Sequence, residues 1–248
     1  MPEPKTEETA KESSARKTEA NHIASVREAV LDAATVHVIF DGWSDTTMRA
    51  AIADAGADPA LAKLAFPRGP VDLAVAFHMR GDDRLAEALA EEDLTSLRYS
   101  ERVAAAVFKR LEIAAPDKEA VRRGVSLFAL PIHAAAGAGC VWHTADTIWN
   151  ALGDTSRDAN WYSKRTILSA VYSASVLYWL GDDSPDAVAT RAFVDRRIAD
   201  VMSFEKTKSR VKGSRAYEMF RKGPGRLLDA IKAPGQGAPE DLPGRWQR

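Results

Sequence analysis

What constrains this chain most is its helix punctuation. Cap-then-proline pairs recur, while no run of alternating β-branched residues is long enough for a strand. Asp58-Pro59 places a side-chain acceptor before a proline at the first helical position, where a missing N–H is harmless and φ is preset. Ser184-Pro185-Asp186 repeats the device, and Pro116-Asp117 opens another helix. Gly42, Gly56, Gly153 and Gly181 stand where helices should stop. The spacing predicts helices over 21–38, 46–54, 59–65, 70–90, 99–114, 117–130, 132–152, 158–181 and 186–210, then a broken basic helix near 214–232. The fold class is therefore all-α: a small three-helix head, then a bundle of longer helices.

Bulk properties narrow the function classes. A length of 248 residues suits one large domain or two small ones. Cys140 is the single cysteine, which excludes an intramolecular disulfide and a cysteine-based zinc site. No apolar run reaches the eighteen or so residues that a membrane span needs. Residues 1–20 have no apolar periodicity and no hydrophobic signal core, and five Glu argue against a transit peptide. They are expected to form a disordered tail. The formal net charge of −1 hides an asymmetry. Residues 21–205 carry about −7 and residues 206–232 about +7. That split points to a surface-binding appendage on an acidic body.

The head has a helix-turn-helix order. A first helical pattern (Ile23, Val26, Val30, Leu31, Ala34, Val38) leads to Phe40-Asp41-Gly42-Trp43, two short helices, and Phe66-Pro67-Arg68-Gly69-Pro70. This order resembles the N-terminal domain of TetR-type repressors. A reading helix normally offers donors to base edges and phosphates. The candidate here, Asp58 to Phe66, is mostly Ala and Leu, and only Lys63 and Arg68 carry positive charge. No nucleic-acid partner is expected. A ligand-responsive TetR-type repressor is kept as the rival reading. The resemblance also implies a dimer face and a ligand site in the bundle, so a homodimer is expected.

The bundle carries aromatic stripes. Val141, Trp142, Ala145, Ile148, Trp149 and Leu152 share one broad face, preceded by the nearly side-chain-free run Ala134 to Gly139. The next long helix, with Leu168 and Tyr172, is apolar over most of its circumference. Two readings remain open: a filled core, or an apolar cavity lined by Trp142, Trp149, Leu168 and Tyr172. His143 and Asp146 share a face and could sketch a metal site with His133, but no Glu-x-x-His pair accompanies them. The serines have no G-x-S-x-G elbow, and Gly223-Pro224-Gly225 lacks a phosphate-loop context. No catalytic constellation, metal or cofactor is read from the chain.

The basic segment 211–232 alternates bulky apolar residues with cations. Tyr217, Phe220, Leu227, Leu228 and Ile231 stand among Arg221, Lys222 and others. Such a composition suits a helix lying in a membrane interface, broken here at Gly223-Pro224-Gly225. Residues 233–248 are rich in Pro and Gly and are expected to be disordered.

Around residue 140 the sequence becomes specific. Trp142 to Trp149 reads Trp-His-Thr-Ala-Asp-Thr-Ile-Trp, followed by Gly153-Asp154-Thr155-Ser156 and Asn160-Trp161-Tyr162-Ser163-Lys164-Arg165. Tyr178-Trp179-Leu180, Asp182-Asp183-Ser184-Pro185-Asp186 and Phe193 to Ile198 follow. This resembles the lipid-binding accessory protein family of coenzyme Q (ubiquinone) biosynthesis, over roughly 22–210 and most strongly over 140–205. The strings Asp41-Gly42-Trp43 and Phe66-Pro67-Arg68-Gly69 look like bacterial members. The resemblance implies a TetR-like fold without DNA binding and an isoprenoid lipid held by the bundle of residues 70–210, behind a head of 21–69. It also implies a surface docking the di-iron demethoxyubiquinone hydroxylase through Trp161, Tyr162 and Arg165, and a membrane-touching C-terminal helix. It places the chain peripherally on the inner face of a cytoplasmic membrane, as a non-enzyme.

Overall fold

The structure, a computed structural model, describes the backbone of residues 4–212 and the side chains of residues 17–203. Among the described residues every regular element is helical. In chain order they are α1 (Pro4–Asp41), α2 (Asp45–Asp54), α3 (Pro59–Ala65), α4 (Pro70–Glu91), α5 (Tyr99–Ala114), α6 (Lys118–Phe128), α7 (Ala134–Ala151), α8 (Ala159–Leu180) and α9 (Val188–Lys212). The chain divides into two compact units, residues 1–81 with 114–140 and residues 82–113 with 141–248.

The first unit is built on the apolar stripe of α1. Val26, Val30, Leu31, Ala34 and Val38 pack with Met48 and Ala51 of α2, Ala62 of α3 and Phe66. Gly42, at φ +65°, ends α1 in the left-handed region that a β-carbon disfavours. The turn delivers Trp43 into the core, where its indole N–H donates to the Ala120 carbonyl at 3.0 Å. Ser44 caps α2 by accepting from the Thr47 amide, and Asp58 caps α3 by accepting from the Ala60 and Leu61 amides.

Two expectations differ from this unit. Residues 4–20 continue α1 instead of forming a disordered tail. Their sequence carries no apolar stripe, but Ala, Glu, Lys and Arg are strong helix formers, and extending an existing helix avoids the cost of nucleation. The head also does not close at residue 69, because α6 and the start of α7 pack with it. Trp43 contributes to this, since its acceptor lies on α6, and Arg123 of α6 donates to the Ile39 carbonyl at 3.2 Å. The small-residue run of α7 has a similar role. A β-carbon at Gly137 would lie 2.6 Å from Phe128, so the glycine admits that ring.

The second unit buries Leu85 and Leu89 of α4, Val103 and Val107 of α5, Ile148 of α7, Leu168 and Tyr172 of α8, and Val194 and Ile198 of α9. The cap-then-proline string before α9 starts later than expected. Pro185–Ala187 forms a 3-10 turn, and α9 begins at Val188. Asp182 gathers the Ser184 amide at 2.8 Å, the Thr190 amide at 2.8 Å and the Thr190 hydroxyl at 2.5 Å. Those donors, the Thr190 hydroxyl first, hold its carboxyl well below the usual carboxylate range. The Asp182 to Asp186 string is thus a capping device.

Candidate functional site

The most specific sequence strings meet in the second unit, on α7 and α8. Asp158 caps α8 by accepting from the Asn160 amide at 3.0 Å, which fixes where Trp161 and Tyr162 emerge. Trp161 and Tyr162 meet edge to face at 4.8 Å between ring centroids. Trp142 of α7 lies 5.8 Å from Trp161 and 6.4 Å from Tyr162. Tyr162 is exposed and the two indoles are half-buried, so the three rings form an aromatic cluster that reaches the surface.

Beneath this cluster lies Arg165, only 1% exposed. Its guanidinium sits 3.9 Å from the centroid of the Trp161 ring, a cation–π contact within a dry environment. Nε donates to Asp146 at 2.5 Å, Nη1 to Asp154 at 3.2 Å and to the Trp161 carbonyl at 3.2 Å, and Nη2 to Asn150 at 3.2 Å. Lys164 donates to Asp154 at 2.6 Å and to the Ser156 hydroxyl at 2.8 Å. Burial pushes the Asp154 carboxyl up, yet hydrogen bonds from Lys164, Ser156 and Arg165 outweigh it and lower the group to about 2. Asp154 therefore stays ionised, and together with Asp146 it holds the arginine in place. The docking residue expected at the surface is instead an internal strut that sets the angle of Trp161.

A second polar cluster joins α4, α5 and α7 within the same unit. Asp82 is fully buried. It accepts from Arg110 Nε at 2.7 Å, from the Thr144 hydroxyl at 2.9 Å and from His143 Nδ1 at 2.8 Å. The hydrogen bond to Asp82, opposed by burial and aided by the charges of Asp82, Asp83 and Asp146, raises His143 above its ordinary value. His143 and Asp146, candidate metal ligands by spacing, thus face different partners. Among the described residues no three His, Cys, Asp or Glu side chains gather as a metal site.

The four residues read as cavity lining are placed as follows. Trp149, Leu168 and Tyr172 are buried, and Trp142 is half-buried in the aromatic cluster. Trp149 stacks on Tyr99 at 5.9 Å and carries Lys164 over its ring at 5.4 Å. Its indole N–H is buried without an acceptor among the described residues. A cavity of about 200 Å³ lies elsewhere in this unit, between α5 and α9, and includes none of the four. The membrane-facing candidates Tyr217, Phe220, Arg221, Lys222, Leu227, Leu228 and Ile231 lie outside the described residues.

Sequence reading missed Asp82, Arg110, Asp154 and Lys164 as site residues. A signal existed for two of them. Asp82 shares the α4 stripe with Leu85 and Leu89, and Arg110 shares the α5 stripe with Val103 and Val107. A charge on an apolar stripe must find a buried partner.

In the first unit, the reading helix α3 turns Leu64 outward, at 58% exposure. Lys63 donates to the Pro67 carbonyl at 3.0 Å, and Arg68 is held by Asp72 at 2.7 Å. Both cations of this surface are thus engaged within the chain.

Residues 134–205, which span α7, α8 and most of α9, match the COQ9 family model. This segment is similar to COQ9. The human ubiquinone biosynthesis protein COQ9, mitochondrial, is 29% identical over 196 residues, covering 76% of this chain and 61% of that protein. The Drosophila melanogaster protein of the same name is 28% identical over 195 residues, covering 77% and 60%. The Schizosaccharomyces pombe protein is 32% identical over 139 residues, covering 56% and 55%. The chain thus spans about three fifths of the length of the first relatives it matches. The resemblance read from the 142–198 strings is borne out by the COQ9 match. The relatives named here are mitochondrial and eukaryotic, so they give no support to the bacterial reading of the head strings. The fold also matches a TetR transcriptional regulator from Nitrosomonas europaea, with a TM-score of 0.56, 21% identity, and coverage of 70% of this chain and 95% of that one. That likeness establishes a TetR-like all-α architecture. No helix of the described residues is long and apolar enough to cross a membrane.

Proposed function

We propose that this chain is a non-enzymatic accessory protein of ubiquinone biosynthesis. In this reading it binds an isoprenoid quinone precursor at a membrane surface and presents the head group to the di-iron demethoxyubiquinone hydroxylase. The observation that carries the reading is the overlap between the COQ9 segment and the Arg165 site. The matched residues include Trp142, Trp161, Tyr162, Arg165 and both of its acid partners.

The geometry supports docking in a definite way. Exposed aromatic residues with a rigid base make strong interface anchors, because little side-chain freedom is lost when a partner covers them. Arg165 supplies that base from below, and Tyr162 supplies the outer face. A polyprenyl chain is rejected by water, so a hydroxylase working at an interface gains from a protein that shields the chain. The cationic segment 211–232 serves the membrane contact at about 1 kcal/mol per cation near an anionic leaflet. The inner face of a cytoplasmic membrane, or the matching face of an organelle membrane, is the surface proposed. A homodimer is the proposed assembly.

Docking is tested by binding the purified hydroxylase to the chain and to the Trp161→Ala/Tyr162→Ala double variant. The reading expects saturable binding weakened at least tenfold in the variant. Unchanged binding in the variant, or no binding by the parent chain, overturns docking at this cluster. The TetR-type repressor reading has the fold in its favour and the engaged Lys63 and Arg68 against it. Sequence-specific retention of a promoter fragment at moderate salt would restore it.

A further inference from the structure

The cavity between α5 and α9 is separate from the aromatic cluster and from the four residues read as lipid lining. Its volume is about 200 Å³. An apolar cavity of about 150 Å³ is known to hold benzene, whereas sites for drug-sized ligands run from about 300 to 1,000 Å³. The space therefore suits one compact hydrocarbon group and excludes a whole polyprenyl tail. Its walls are apolar: Ala104, Ala105 and Phe108 from α5, and Val194 from α9. The two alanines create the room, since larger side chains there would fill it.

The rim is charged. Glu101 of α5 and Asp195 of α9 border the opening, together with Arg191 of α9. Arg191 does not neutralise the pair. Its guanidinium is parked 3.8 Å over the Phe108 ring and pairs with Glu112 at 3.4 Å. Arg98, in turn, pairs with Glu101. Asp195 has no ion-pair partner among the described residues, so the opening keeps one uncompensated carboxylate beside an apolar floor.

We propose that the α5–α9 cavity binds a compact hydrocarbon group ending in a cation, of the alkylammonium class. The hydrocarbon displaces poorly bonded water from the alanine-lined floor, and the ammonium lies against Asp195. This site is independent of the hydroxylase-docking reading, so failure of either leaves the other standing.

The test uses the full chain and three probes of equal tail: n-hexylammonium, hexanol and hexanoate, titrated by ligand-observed NMR. The proposal expects saturable one-to-one binding of hexylammonium, about threefold tighter than hexanol, since an exposed charge pair contributes little. Hexanoate should bind weakest. Ala105→Phe should abolish binding by filling the floor. Asp195→Asn, an exposed change that leaves the floor intact, should bring hexylammonium and hexanol to equal affinity. Equal binding of all three probes by the parent chain overturns the cationic preference. Undiminished binding in a folded Ala105→Phe variant, or a preference that survives Asp195→Asn, overturns the site.

Discussion

The two compact units treat charge in opposite ways. In the unit built on α1, α2 and α3, the core is apolar and Thr47 is its buried polar side chain among the described residues. Its charged residues pair at the surface, as in Arg68 with Asp72, Arg80 with Asp32, and His37 with Asp54. The other unit buries Asp82, Arg110 and Arg165 outright, with Thr144, Ser175 and Thr190. Surface pairs of the first kind contribute little to stability. Buried charges of the second kind carry a desolvation penalty, and losing one partner leaves the other stranded. Here the buried Arg165 network fixes the aromatic cluster of the COQ9-matched segment.

The comparison can be broken by mutation and pH. The largest effect is expected at Arg165. Arg165→Ala removes a buried guanidinium from Asp146 and Asp154 and should cost about 3–5 kcal/mol in urea unfolding. That cost should shrink in acid. Asp154 has a folded pKa of about 2, set against burial mainly by Lys164 and Ser156 with a smaller part from Arg165, so that part is present above the unfolded value near 3.9 and is lost as pH falls toward 2. A cost that does not change between pH 5 and pH 2 would show that Arg165 does not contribute to the ionisation of Asp154.

Leu31→Ala in the other unit should cost about 2–5 kcal/mol by opening a cavity, because Leu31 is buried in the α1 core. Unlike the arginine variant, its cost should be the same at both pH values. A strong pH dependence there would undo the contrast between the units.

A smaller effect is expected at His143. Its raised folded pKa means that its stabilisation is complete below the unfolded value near 6.5 and fades as pH rises through the folded value. His143→Gln should flatten the loss of stability that the parent chain shows above pH 6.5. An identical pH profile in the variant would remove His143 from the Asp82 cluster's energetics. The smallest effect belongs to the head surface. Lys63→Ala and Arg68→Ala should each change stability by less than about 0.5 kcal/mol. Both should leave retention of promoter DNA unchanged, a result that would fail if α3 read DNA.

Much of this architecture was legible because helices announce their ends locally. The Asp58-Pro59 cap and Gly42 are short-range signals, and α3 and α5 begin and end where spacing places them. The extent of α1 was less legible, because a propensity-driven helix leaves no apolar period. The joining of α6 to the head depends on long-range contacts, the Trp43 bond to Ala120 and the Arg123 bond to the Ile39 carbonyl among them, that no local pattern encodes. At the site, Trp161 and Tyr162 were legible through their string, but the depth of Arg165 was not. Depth depends on Asp146, from within α7, and Asp154, from the α7–α8 connection, converging on one guanidinium. Whether Trp149, Leu168 and Tyr172 surround a guest was open from their apolar period, since core and cavity share residue types.

Native mass spectrometry of the 248-residue chain, purified from cells that make ubiquinone, tests the central proposal most directly. The account predicts a bound species whose mass matches an isoprenoid quinone or its precursor, displaced by added ubiquinone analogue. Protein recovered repeatedly as the bare chain, and unchanged by added isoprenoid quinone in the presence of liposomes, would contradict it.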